Sequence, residues 1–481
     1  MERRSTGSIP PDHIPPDHIP PVETAGTPRM DPNAEQRAAI EQEGNVLVNA
    51  GPGTGKTATL IRWILHQIEE RGSTPAEVMA ITFTNKAADE LRERLHNEIG
   101  DRAEQVLVGT FHAVAYRFLK ELVPETAAIY DRNDRVNLFR ILFPGLDRAG
   151  VRKLSRAYEE YYEENLPQYE EEFEEHFRAY DRHLTEYHAV DLSGIIRRAN
   201  ELLKQSPGSL LNRYKCLAVD EFQDINPVQY EFVGILSKTG QAAPGPRIFA
   251  IGDPNQSVYG FRGSDIRLFH RAKEDLNACE IRLRMNYRTP AGILAAGNRL
   301  IRHNRMGGNA GLEAVKTTEV QVKHFVAEDS RQEAAYIADQ ILNYIGGTDT
   351  MSTGSALSDY SYAFSDIAVL YRTHRAAEDI SEQLKHKGIP VLLSDGSSFF
   401  SEPPFDVIAS ALQLLRNERN LVALSGLSGK LLELNNLEKQ YLMKKYIDHR
   451  TGLEDFSGDE RWGKWMMLYK KLHSFPPSFI P

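Results

Sequence analysis

Residues 50–57 read Ala50-Gly51-Pro52-Gly53-Thr54-Gly55-Lys56-Thr57, alternating glycines followed at once by a lysine and a hydroxyl. Where such a turn opens into a helix, its consecutive backbone N–H groups cradle phosphates. Lys56 is then placed to reach β and γ phosphates, and the Thr57 hydroxyl to ligate magnesium. The strict pattern has glycine where Ala50 stands, a small residue that does not block the turn. A phosphate loop also needs a carboxylate at a neighbouring strand end to hold its magnesium, often through water. The stretch "LAVDEFQDIN", 217–226, supplies a pair: Asp220 for the metal and Glu221 as a general base facing an attacking water. Taken alone the two acids could equally decorate a strand end. The phosphate loop tips the reading toward chemistry.

These residues need strands and helices to hold them. "NVLVNA" reads as a short buried strand before the loop and "KTATLIRWILHQIEERG" as the helix after it, ending at Gly72. Further strands are expected in "EVMAITF", "EQVLVGTF", "CLAVDE", "RIFAIGD" and "EIRLRMN", with helices in "AEQRAAIEQ" and "NKAADELRERLHNEIG". Strands alternating with helices imply a parallel sheet covered on both faces, and the mainly helical stretch from 113 to about 210 reads as an insertion. Within it Tyr158, Tyr162, Leu166, Tyr169, Phe173, Phe177, Tyr180, Leu184 and Tyr187 recur at helical steps beside an acidic face of nine glutamates between 158 and 177. This is an amphipathic pattern, expected to break near Pro167 and to bury its aromatic stripe. A second alternating region follows residue 290, with strands expected in "VQVKHFVA", "DIAVLYRT" and "IPVLL", helices in "RQEAAYIADQILNYI" and "RAAEDISEQLKHKG", and a surface loop in "GGTDTMSTGSALSD".

Composition narrows the class. At 481 residues with 41% hydrophobic content the chain has room for about three domains with real cores. No apolar run approaches the ~18 residues of a membrane span and no signal-peptide core opens the chain, so a cytoplasmic protein without a membrane partner is expected. A net charge of −10 leaves any nucleic-acid path local. The two cysteines, Cys216 and Cys279, have no metal spacing and read as buried small hydrophobes. Residues 1–29 repeat Ile-Pro-Pro-Asp-His and are rich in Pro, Thr and Gly, so they are expected to be disordered and dispensable for nucleotide binding, with the folded part opening at Met30.

In their order along the chain, "AEQRAAI", "AGPGTGKT", "ITFTNKAADELRERL", "VGTFHA", "VDEFQD", "IGDPNQSVYGFRGSD" and "LRMNYRTP" resemble the motif series of the UvrD/Rep-type superfamily 1 DNA helicases, with matching spacing from about residue 33 to 395. The resemblance implies an α/β fold: a RecA-like P-loop NTPase parallel sheet with a helical insertion, followed by a partial second RecA-like domain and a helical C-terminal segment. It divides the chain into a tail (1–29), a first ATPase domain (30–112 and 190–290), an insertion (113–189), a partial second domain (291–395) and the start of a second helical insertion (396–481). It implies ATP with Mg2+ as cofactors, single-stranded or partially duplex DNA as partner, 3′ to 5′ movement, and service in repair or recombination.

The resemblance also assigns residues. Gln36 is implied to read the adenine edge with Arg37 packing on it, Tyr287 to stack on the base, and Gln223 to couple the nucleotide site to DNA. Gln256 follows a strand end and can sense the γ phosphate or the attacking water, while Arg288 can bring positive charge to the transition state. Phe83, Tyr259 and Phe261 are the implied stacking surfaces for single-stranded DNA, with Thr82, Asn85, Thr110, His112 and Arg262 holding phosphates or orienting that track. Without the family, Phe83, Phe111 and Phe261 read as core residues. In "EYHAVDLSGIIRRANELL" only Asp191 keeps the family's acidic pattern, since Ser193 and Gly194 follow it, and it reads as structural.

The family's later motifs, a "TxHxxKGLE"-type stretch and a "TRA"-like arginine motif, do not occur before Pro481; "SGLSGKLLEL" (425–434) matches the first only at Ser428, Lys430 and Glu433. Two function classes therefore stand: an ATP-dependent helicase completed by a partner protein or by further chain, and an ATP-regulated DNA-binding module that does not translocate.

Overall fold

The computed structural model describes residues 31–124, 126, 128–164, 171–205, 210, 212–238, 245–258, 260, 263–304, 311–318, 320, 322–345, 362–393, 405–416, 423–424, 426–427 and 467. The expected tail, the loop at 346–359 and the "SGLSGKLLEL" positions Ser428, Lys430 and Glu433 lie outside the described residues.

Ten strands occur among the described residues: β1 (Asn45–Ala50), β2 (Val78–Thr82), β3 (Leu107–Thr110), β4 (Ala128–Tyr130), β5 (Ala189–Asp191), β6 (Cys216–Val219), β7 (Arg247–Gly252), β8 (Ala278–Leu283), β9 (Met285–Asn286) and β10 (Glu313–Ala314). Six of them form one sheet in the order β3-β2-β6-β7-β1-β8, and every pairing in it is parallel. Because both faces are covered, the middles of its inner strands are continuous apolar runs, with polar residues confined mainly to the strand ends. Leu47, Met79, Ile81, Leu217, Val219, Ile248 and Ala250 share one core with Phe118, Ala199, Phe232 and Phe269 from the helices on that face. Their strand neighbours Val46, Val48, Val78, Ala80, Ala218, Phe249 and Ile251 share the other with Ala39, Trp63 and Leu91. Trp63 stacks on Phe249 at a centroid distance of 5.1 Å. A one-residue slip of any inner strand would exchange its two sets of side chains. Crossover connections place the carboxyl ends of all the strands on one edge, where α/β sheets bind ligands.

Cys216 is buried in this core, as its type suggested, but Cys279 is exposed. The difference is positional: β8 is the last strand of the sheet, so only part of it is covered.

The helix Phe111–Leu122 packs on the sheet through Val114, Ala115, Phe118 and Leu119, so the expected insertion start at residue 113 falls within an element of the sheet's own core. The next cluster gathers Tyr130, Phe139, Tyr158, Phe173, Phe177, Tyr180 and Leu184 from the helices Arg132–Leu142, Arg148–Glu163 and Glu174–Glu186. The aromatic stripe is thus buried, and its helical pattern is interrupted between Glu163 and Glu174; Leu166, Pro167 and Tyr169 lie outside the described residues. The insertion also holds a two-stranded parallel sheet of β4 and β5, which periodicity did not reveal because three-residue strands are too short to show alternation.

Asp191 ends β5 and is fully buried. Its carboxylate accepts from Arg135 Nη1 at 2.7 Å, from the Tyr180 hydroxyl at 2.8 Å and from the Ser193 N–H at 2.9 Å. Arg135, also buried, donates further to Ser155 Oγ at 3.1 Å and pairs with Glu159. This arginine was invisible to motif reading, since a single charged residue inside an amphipathic helix looks like surface.

His183 is buried against the rings of Tyr187 (4.3 Å) and Tyr130 (6.4 Å), and burial pushes its pKa down to about 4. An unfolded histidine titrates near ~6.5, so its contribution to stability is fully present above that value and is lost as pH falls through about 4. Asp134 runs the other way: burial raises it to about 6, so its contribution is present below the usual carboxylate range and lost as pH rises through about 6. His183→Phe is therefore expected to remove on the order of 3 kcal/mol of acid sensitivity between pH ~6.5 and ~4. Across that window wild type should lose stability relative to the variant as pH falls, so the difference between their melting temperatures should change with pH; a difference that stays constant would show that His183 is not held neutral.

The second alternating region is only partly as expected. The helices Ser330–Ile345 and His374–His386 pack through Ala334, Ala338, Ile341, Ile380 and Leu384, with Ile367, Val369, Ile389 and Val391 against them. No strand is present at 322–327, 367–371 or 389–393. Alternation survives there, with Leu370 and Leu392 turned outward at 94% and 97% exposure. Alternating side chains are a property of the sequence, whereas a strand requires a hydrogen-bonded neighbour, and these segments pair with none among the described residues.

Candidate nucleotide site

The phosphate loop leaves β1 at Ala50 and turns into the helix Lys56–Glu69. Gly53 (φ +70) and Gly55 (φ +84) take left-handed backbone angles that other residues resist. The loop is braced from within by the Thr54 hydroxyl, which donates to the Gly51 carbonyl at 2.8 Å, and from outside by Gln36 Nε2, which donates to the Thr54 carbonyl at 2.9 Å. Gly51 is covered by Leu312 so closely that an added Cβ would lie 2.6 Å from that side chain. No side chain caps the helix, which leaves its first N–H groups directed at the cradle.

The acids arrive from β6, two strands away. Asp220 is buried and accepts from the Glu221 N–H at 2.9 Å. Glu221 itself has left-handed angles (φ 49, ψ 44), an uncommon strain for a non-glycine residue. Lys56 Nζ lies 3.7 Å from Glu221 Oε2 and donates to Gln256 Oε1 at 3.2 Å, so the phosphate-loop lysine, the acid after β6 and the glutamine after β7 meet at one point. Burial, then the neighbouring Glu221 charge, raises Asp220 to about 6, and the same two causes raise Asp224 to about 6; burial also pushes Asp253 up. These are carboxyls that gain from a nearby cation.

Gln223 joins the strand ends. Its Nε2 donates to Glu221 Oε2 and to Asp224 Oδ2, both at 3.0 Å, and its Oε1 accepts from the Asp253 N–H at 2.9 Å. A Cβ added at Gly252 would sit 2.4 Å from that Oε1 and 3.0 Å from the backbone nitrogens of Phe222 and Gln223. Gly252→Ala must therefore displace Gln223, and the expected cost is about 1–3 kcal/mol. Chemical denaturation measures it; a midpoint unchanged from wild type would mean the site has slack there.

The remaining positions fall into groups. Tyr287 lies beside the loop, its N–H donating to the Gly53 carbonyl at 2.9 Å and its hydroxyl accepting from Asn33 Nδ2 at 2.8 Å. Arg288 is exposed at the loop's rim and Arg37 is exposed on the helix Ala34–Glu41, while Gln36 is buried. Pro52 and Thr57 line the loop half-buried. Thr82 and Thr110 are register partners at the ends of β2 and β3, which brings Thr82, Phe83, Asn85, Thr110 and His112 together on the far side of β6 from the loop. There the Thr82 hydroxyl donates to the Thr84 carbonyl at 3.1 Å and the Thr110 hydroxyl accepts from the Ala113 N–H at 3.3 Å. Burial lowers the His112 pKa, favouring a neutral ring. Phe83 is half-buried and Asn85 exposed, while Phe111 is core. Tyr259, Phe261 and Arg262 lie outside the described residues.

Sequence reading missed Asn33, Asp224, Asp253 and Asn286. Asn33 had a signal: with Gln36 it forms a reciprocal capping box, an Asn-x-x-Gln pattern before an amphipathic run. Asn286 had none beyond its place before Tyr287-Arg288.

Two family descriptions match the chain, the UvrD/REP helicase N-terminal domain over residues 32–277 and the UvrD-like helicase C-terminal domain over residues 281–466. Among curated proteins, it is 30% identical over 424 residues to the ATP-dependent DNA helicase UvrD1 of Mycobacterium tuberculosis, covering 82% of this chain and 53% of that protein. It is 27% identical over 416 residues to the ATP-dependent DNA helicase PcrA of Staphylococcus aureus (82% and 54%) and 30% identical over 418 residues to DNA helicase II of Haemophilus influenzae (81% and 54%). The chain spans about half the length of the curated relatives it matches. No helix among the described residues is long and apolar enough to cross a membrane.

Proposed function

Because the chain belongs to the UvrD/REP helicase family, we propose that it hydrolyses ATP with Mg2+ and uses the cycle to move along single-stranded DNA in the 3′ to 5′ direction, in DNA repair or recombination. The observation that carries this reading is the convergence of Lys56, Glu221 and Gln256 beside an uncapped helix N-terminus. The residues fit both groups. The left-handed Gly53 and Gly55 and the uncapped helix N-terminus present backbone N–H groups suited to phosphates, and the carboxyls raised by burial favour a cation beside them.

Thr57 and Asp220 would hold magnesium, which when bound neutralises charge on the β and γ phosphate oxygens. Lys56 exchanges Gln256 and Glu221 for those phosphates. Glu221 takes the proton of the water that attacks the γ phosphorus, as the bond to the bridging oxygen breaks and ADP leaves. Gln256 orients that water or senses the γ phosphate, and Arg288 stabilises the equatorial charge. Gln36, Arg37 and Tyr287 surround the adenine. Gln36 uses one Nε2 hydrogen on the Thr54 carbonyl, which leaves the other for the base. Gln223 ties Glu221 to the end of β7 and so toward Tyr259, Phe261 and Arg262, the proposed DNA track with Thr82, Phe83, Asn85, Thr110 and His112.

In domain terms, the first RecA-like unit takes residues 30–112, the rest of the helix Phe111–Leu122 and the chain after β5 to residue 290, the insertion runs from the end of that helix through β5, 291–395 is a partial second unit and 396–481 the start of a second insertion. The test is ATP hydrolysis by the 481-residue chain with and without single-stranded DNA, with Lys56→Ala as control. DNA-stimulated turnover that the substitution abolishes is the expected result. Nucleotide binding without turnover would replace the enzyme with an ATP-regulated DNA-binding module.

A further inference from the structure

Asn286 has no exposed surface, and its side-chain amide is fully engaged. Nδ2 donates to the Pro52 carbonyl at 2.6 Å and to Thr289 Oγ1 at 3.4 Å. Oδ1 accepts from the Arg288 N–H at 3.0 Å and from the Thr289 N–H at 2.6 Å. A primary amide has two donor hydrogens and two acceptor lone pairs, so all four are used. The two backbone N–H groups require the oxygen to face them, which determines which way the amide is turned.

The same junction is tied twice more. The Tyr287 N–H donates to the Gly53 carbonyl at 2.9 Å, and a Cβ added at Gly53 would lie 2.8 Å from Arg288 Cβ. On its other side Asn286 pairs with Ala314 across β9 and β10, and its carbonyl accepts from the Val315 N–H at 2.9 Å. The backbone that bears Arg288 is therefore bolted to the phosphate loop.

We propose that Asn286 is a positioning residue that sets Arg288 against the phosphate cradle before nucleotide arrives, so that this arginine travels with the loop and is not delivered by movement of the residues beyond 290. The inference rests on the reading above that Arg288 meets the γ phosphate. It follows from the chain's own geometry: a long, flexible side chain reaches a reproducible point only if its Cα is fixed, and a displacement of about 1 Å at a reacting centre can cost on the order of 10²-fold in rate.

A double-mutant cycle with Asn286→Ala and Arg288→Ala tests it. Asn286→Ala alone is expected to lower kcat by on the order of 10²-fold. In the Arg288→Ala background it should lower kcat by no more than about twofold, because the group it positions is already gone. Losses that multiply would show that Asn286 merely supports the fold and would overturn the proposal. Where Asn286→Ala does not fold, Asn286→Asp replaces it, since a carboxylate still accepts from the Arg288 and Thr289 N–H groups and loses the donations to Pro52 and Thr289 Oγ1, and with them the tie to the phosphate loop. The cycle is run also on affinity for a non-hydrolysable ATP analogue. A wild type without turnover then counts against the ATPase reading alone, while coupled or additive affinities still decide the role of Asn286.

Discussion

Glu221→Gln is expected to lower kcat for ATP hydrolysis by about 10²- to 10⁴-fold while ATP affinity changes by only a few-fold. The Glu221 carboxylate lies 3.7 Å from Lys56 Nζ, which also donates to Gln256, so it stands where a base for the attacking water is needed, and an amide of the same shape cannot accept a proton there. The substitution also separates chemistry from structure. A glutamine Oε1 can still accept from Gln223 Nε2, which now donates to Glu221 Oε2 at 3.0 Å, and residue 221 keeps its left-handed backbone in either case. Single-turnover hydrolysis and equilibrium nucleotide titration on the same preparation make the comparison. Turnover within about tenfold of wild type would assign the base elsewhere.

Arg135→Met is expected to destabilise the insertion by about 3–5 kcal/mol, because it leaves the Asp191 carboxylate buried with no cation. Burial already pushes Asp191 up, and Arg135 opposes that push most strongly among its partners. Methionine roughly replaces the volume but not the donors to Asp191, Ser155, Ser193 and Glu159. Pairing the change with Asp191→Asn should restore part of the loss, since the orphaned charge is then gone. Differential scanning calorimetry should show the melting temperature fall by on the order of 10 °C for the single variant. A single variant as stable as the pair would mean that the ion pair contributes little beyond packing.

Much of the site was legible because its chemistry is local. A glycine-rich turn between an apolar strand and a helix specifies its own phosphate cradle, and the left-handed Gly53 and Gly55 adopt the angles that only such residues take readily. An acid pair at the end of four buried residues likewise announced itself, and Asp220 and Glu221 do follow a strand in the same sheet as β1. The parallel sheet was readable from apolar strands spaced by amphipathic helices. The aromatic stripe of the insertion was readable from its helical period.

What tertiary structure decided is which distant residues meet. Four strands, β2 to β5, lie between β1 and β6 along the chain, yet only β7 lies between them in the sheet, and that arrangement alone brings Gln256 to Lys56 across 200 residues. Arg135 could be assigned as a core residue only once Asp191 lay beside it, 56 positions away. Alternation after residue 320 promised strands but could not promise neighbours, so the extended segments there half-bury Ile367 and Val369 without a ladder among the described residues. Sequence determines which face of an element is apolar and which side chains can react, because those depend on composition and period. Partners depend on the path of the chain, and Asn286, which links Pro52 to Arg288, is legible only in the fold.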